Sequence, residues 1–110
     1  MATNYKILGQ TAPAAATETL NYTVPSSTST LVRSINVTNT SATADTFNIA
    51  LVTSAASSAT SSQFIAYSNS IPGNSTISFK AGYTLATGNG IRVTSTNGTS
   101  TFSTFGAEIS

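Results

Sequence analysis

Apolar side chains recur at every second position in a series of short stretches, and small polar residues punctuate the intervals between them. That period of two is the mark of a half-buried β-strand. Leu20, Tyr22 and Val24 lie on one face of a segment that Pro25 closes, because proline has no N–H to give to a ladder. Leu31, Arg33, Ile35 and Val37 alternate with Val32, Ser34, Asn36 and Thr38, and Phe47, Ile49 and Leu51 repeat the pattern beyond the polar turn 39–45. These two stretches read as antiparallel neighbours. Further strands are predicted over Gln63–Tyr67, over Thr76–Lys80, from Ile91, and over Thr101–Ile109. The last of these carries Phe102 on one face and Phe105, Ala107 and Ile109 on the other, which predicts burial on both sides or contact with a partner.

The punctuation is equally regular. Ile71–Asn74 reads as a turn, with Pro72 and Gly73 supplying special backbone angles. Residues 53–62 lack any large side chain and read as a surface loop. Residues 81–90 read as a connection, with Tyr83 and Leu85 plugging the end of the core. Asn97-Gly98 predicts a type I′ hairpin, a turn that needs positive φ at both central residues. Seven to eight antiparallel strands with turn signals every ten residues or so predict an all-β single β-sandwich, jelly-roll or immunoglobulin-like. A length of 110 residues suits one domain. Residues 1–16 are expected to form an N-terminal docking arm.

Composition narrows what such a sandwich does. The chain holds 18 Ser and 21 Thr, but only seven charged residues and neither His nor Cys. Hydroxyls become nucleophiles only beside an activating base, so a Ser/His/Asp apparatus is excluded and no enzyme is expected. Glu18, Asp45 and Glu108 are too few and too dispersed for a paired-carboxylate hydrolase or for a metal site, and no cofactor is expected. Lys6, Arg33, Lys80 and Arg92 form no basic stripe, which argues against nucleic acid and against an anionic membrane surface as partners. The first residues lack a charged segment followed by an apolar run, so synthesis in a cytoplasm without a secretory signal is expected.

What remains is a surface. Tyr5, Ile7 and Leu8 near the start, and Phe105 and Ile109 near the end, are apolar residues that a small monomer need not expose. Arg33 and Arg92 fall inside predicted strands, and Arg is enriched where interfaces are buried. Together these seven residues are the candidate assembly interface.

Five segments carry a resemblance: Ala2–Gln10, Leu20–Pro25, Ile35–Asn39, Gln63–Tyr67 and Phe102–Ile109. In them the chain resembles small structural virion proteins of tailed phages, notably marine and cyanobacterial ones, over nearly its whole length. The resemblance implies a non-enzymatic part of the particle, expected as a capsid decoration or cement protein that bridges major capsid subunits. Its expected partners are the major capsid protein or other virion proteins, and copies of itself. A neck, tail or fibre-associated module that binds a host glycan or protein is the other role it implies.

Overall fold

The computed structural model describes residues 3–110, apart from the side chain of Ala81. The alternating stretches form eight strands: β1 (Thr3–Thr11), β2 (Thr19–Thr23), β3 (Ser29–Asn39), β4 (Asp45–Val52), β5 (Phe64–Ile71), β6 (Thr76–Leu85), β7 (Gly90–Ser95) and β8 (Ser100–Ile109). They pair antiparallel in two four-stranded sheets, β1-β8-β3-β6 and β2-β7-β4-β5. Only β4 and β5 are neighbours both in sequence and in a sheet; every other connection crosses from one sheet to the other. Eight strands interleaved in this way make a jelly roll, one of the two sandwiches expected.

The core fills the gap between the sheets. Val32, Ile35, Val37 and Phe102 come from the first sheet, and Phe47, Ile49, Ile91 and Val93 from the second, all essentially without solvent contact. Phe47 stands at the centre, with its ring edge-on to Phe79 at 5.9 Å and to Phe102 at 6.1 Å. Edge-to-face packing suits the quadrupole of the rings and ties β4 to β6 and β8 across the sandwich.

Several expectations change in phase or in pairing. Leu31, Arg33, Ile35 and Val37 do not share a face, because β3 has a β-bulge against β8: Val32 faces Gly106, Ser34 faces Phe105, and Arg33 is the extra residue. Both Val32 and Ile35 therefore point into the core, while Leu31, Arg33 and Ser34 point out. Gly106 makes room for this kink, since a Cβ there would collide with the Leu31 carbonyl. A similar bulge between Leu20 and Tyr22 turns Leu20 outward, to 41% exposure, while Tyr22 and Val24 stay buried.

The stretches β3 and β4 are not neighbours, since the turn between them passes from one sheet to the other. Asn97-Gly98 likewise makes no hairpin. Gly98 has a φ of +72° but Asn97 does not enter the left-handed region, and β7 and β8 lie in different sheets. Strand β6 runs on to Leu85, so Tyr83 and Leu85 pack against the core from within a strand rather than from a connection. Loop 53–62 ends in a 3₁₀ turn at Ser61–Gln63.

Candidate assembly surface

The stretch expected as a docking arm is integrated into the sandwich. From Thr3 to Thr11 it is the edge strand β1, paired with β8 on both sides of a bulge at Leu8. Met1 and Ala2 lie outside the described residues. The register decides what β1 presents: Tyr5 faces Ala107, which in turn faces Leu31, so these three form one row across β1, β8 and β3. Ile7 faces Phe105 in the next row, and Thr3 faces Ile109 on the other side. Because partners in a ladder share a face, this row pattern places Tyr5, Ile7, Leu31, Phe105, Ala107 and Ile109 together on the outside of the first sheet.

An outer sheet face of a small soluble protein is ordinarily polar. Here Tyr5 is 75% exposed and Ile7 52%, while Leu31, Phe105 and Ile109 are half-buried. Ala107, flanked by Tyr5 and Leu31, is 1% exposed although it lies on this outer side. Beside the patch, the β3 bulge puts exposed Arg33 next to the partner of Phe105, and exposed Lys80 is in register with Ser34. The patch is thus apolar with a basic flank.

A polar network fixes the edge strand that carries Tyr5 and Ile7. Lys6 Nζ lies 2.9 Å from Glu108 Oε1, and the Tyr22 phenol donates to Glu108 Oε2 at 2.5 Å. Thr30 Oγ1 is 2.8 Å from the same phenol, so one cluster joins β1, β2, β3 and β8. The hydrogen bond from Tyr22, reinforced by the Lys6 ammonium, holds the Glu108 carboxyl below its ordinary range. Burial, and then the bond to Glu108, push the Tyr22 phenol up to about 12.

Four of the seven sequence-derived interface residues, Tyr5, Ile7, Phe105 and Ile109, meet in the patch, and Arg33 flanks it. Leu8 and Arg92 do not join them. Leu8 is the extra residue of a bulge between Ile7 and Gly9 and packs inward against the core. Arg92 is on the other sheet, where its guanidinium donates to the Ala55 carbonyl at 2.6 Å and pairs with Glu18 at 3.5 Å. It ties loop 53–60 to the sandwich instead of reaching outward. Leu31 joins the patch against expectation, because strict alternation assigns it to the core side, whereas the second apolar face of β8, with Phe105, Ala107 and Ile109, is legible in the sequence.

The acids are each committed elsewhere. Glu18 accepts from Arg92 and from the Ala59 amide, Glu108 from Tyr22, and Asp45 from Ser95 and Ser100 between the sheets. Among the described residues no three potential metal ligands cluster, and no helix is long and apolar enough to cross a membrane. The arrangement is suited to contact by packing. No family model, no curated protein and no solved structure matches the chain.

Proposed function

We propose that this chain is a non-enzymatic structural protein of a phage virion, a decoration or cement module seated on the capsid by the outer face of the β1-β8-β3-β6 sheet. The observation that carries the reading is the apolar patch itself: six side chains from three adjacent strands gathered where a solvated sandwich would show polar groups. The resemblance of five segments to tailed-phage virion proteins supports the same role. A jelly roll alone would not choose it, since capsid and lectin domains both use that architecture.

The chemistry follows from the geometry. A patch carried on paired strand backbone has little main chain to order on docking, so apolar burial is converted efficiently into affinity. Arg33 and Lys80 on its flank favour a partner surface with carboxylates beside an apolar centre. Repeated over a symmetric shell, the contact bridges major capsid subunits, and each bridge stabilises the assembled state over the dissociated one by mass action.

Electron microscopy of the intact particle is the test. Many copies over the head, seated on the β1-β8-β3-β6 face, are expected, and particles depleted of the protein should assemble yet rupture at lower temperature. Depleted particles as robust as complete ones would overturn the cement role. A few copies confined to the tail would place the chain among host-recognition modules instead.

A further inference from the structure

The outer face of the second sheet carries an aromatic corner that the assembly role does not use. In a regular strand, residues three apart point to opposite faces. Phe64 and Tyr67 of β5 nevertheless share a side, their rings 4.9 Å apart at 69°. Of two irregularities in the ladder with β4, the one at Ile65 brings this about, and the other follows at once. Adjacent Ile49 and Ala50 face Ala66 and Phe64, which leaves Ile65 as an extra residue turned against the core. Phe47 and Ile49 face Asn69 and Ala66, which leaves an extra residue there as well. In that second irregularity Ser68 takes a φ of +50°, and its N–H donates to Asn48 Oδ1 at 2.6 Å. A serine in the left-handed region is strained, and here the Asn48 amide holds it there.

The consequence is an L-shaped apolar wall at an edge of the sheet. Tyr67 is 66% exposed, and with Phe64 and Ser61 it lines a cavity of about 430 Å³. Its electrostatics are neutral. No charged residue occurs in the sequence between Asp45 and Lys80, and Arg92, two strands from Phe64 by register, is paired with Glu18. An anionic ligand would find no free cation in this segment, and the hydroxyl-rich turn at Ser61 and Ser62 offers hydrogen bonds rather than charge.

We propose that this corner binds a neutral pyranoside, with the C–H face of the sugar stacked on Tyr67, its edge against Phe64, and its hydroxyls toward Ser61. The electron-rich face of an aromatic ring attracts the weakly positive C–H groups of a pyranose, and the hydroxyls around the sugar's rim require polar partners at the margin of the same wall. The corner lies on the sheet opposite the assembly patch, so both surfaces can be occupied together. Many copies on one particle would convert a weak single contact into avidity.

The test is a ¹H–¹⁵N titration of the full chain with methyl glycosides and neutral gluco-, galacto-, manno- and xylo-oligosaccharides into the tens of millimolar. Shifts confined to Ser61 and Phe64–Ser68 are expected for at least one sugar. Tyr67→Ala should weaken binding about tenfold, Tyr67→Phe should preserve it, and Tyr5→Ala, on the opposite sheet, should leave it unchanged. If Tyr67→Ala disturbs the fold, Phe64→Leu keeps apolar bulk without the ring and should show the same direction of loss. No response to any neutral sugar, a response only to anionic sugars, or binding that survives loss of the Tyr67 ring would overturn the proposal.

Discussion

Ser100 donates its hydroxyl to the Asp45 carboxylate at 2.7 Å, and this bond joins the two sheets through a buried charge. The same carboxylate accepts from Ser95 Oγ at 2.5 Å and from the Asn97 amide at 2.9 Å, so it organises the crossing from β7 to β8. Burial by itself would raise the Asp45 pKa, but the hydrogen bonds outweigh it and the carboxyl is held below its ordinary value.

Acid should therefore destabilise the fold through Asp45. Because its folded pKa is depressed, its contribution is present above the unfolded carboxylate value of about 3.9 and is lost as pH falls through the lower, folded value. Asp45→Ala leaves at least two buried donors without a charged acceptor, each worth roughly 1.5–3 kcal/mol, so a loss of about 3 kcal/mol or more is expected. Chemical denaturation at neutral pH measures it, and the variant should also show a flatter stability profile below pH ~4.

At the other extreme of pH the sensitive group is Tyr22. Its folded pKa of about 12 lies above the unfolded value, so its contribution is full below about 10 and disappears as pH rises through 12. Ultraviolet absorbance of the phenolate should record a phenol ionising near pH 12, and Tyr22→Phe should remove that step.

Phe47→Ala removes the ring that contacts both Phe79 and Phe102. A loss of about 3–5 kcal/mol is expected, a large part of the stability of a domain this small. Thermal denaturation followed by circular dichroism gives the magnitude.

The assembly patch should behave in the opposite manner, with little effect on folding and a large one on association. Tyr5→Asp and Ile7→Asp alter exposed positions on an edge strand, so each should cost no more than about 1 kcal/mol, the span of strand propensities. Both should reduce incorporation into particles, measured by mixing purified protein with depleted heads and quantifying what co-sediments. Deleting residues up to Leu8 is a poorer test, because it would remove most of an edge strand paired with β8.

Arg92→Ala should loosen loop 53–60, which depends on the guanidinium for the Ala55 carbonyl contact and for Glu18, itself bonded to the Ala59 amide. Faster amide exchange around Ala55 and Ala59 with an otherwise unchanged pattern is the expected result. Unchanged exchange there would mean that loop packing alone holds the segment.

Alternation in the sequence was enough to locate strands and most of the core. Phe47, Ile49, Ile91, Val93 and Phe102 lie inside as their spacing requires, because a residue two along always returns to the same face while the pleat is regular. Composition likewise showed that no histidine or thiol chemistry is available to the chain, since it holds neither His nor Cys. Tertiary structure decided the rest, for two reasons. Which strands pair is set by long-range packing, so Asn97-Gly98 became a crossing between sheets although its local chemistry suits a hairpin. A bulge, moreover, exists only relative to a partner strand: the kinks at Arg33, between Leu20 and Tyr22, and at Ile65 depend on ladders with β8, β7 and β4. Each kink flips the face of every residue beyond it, and that is what placed Leu31 in the outer patch and brought Phe64 beside Tyr67.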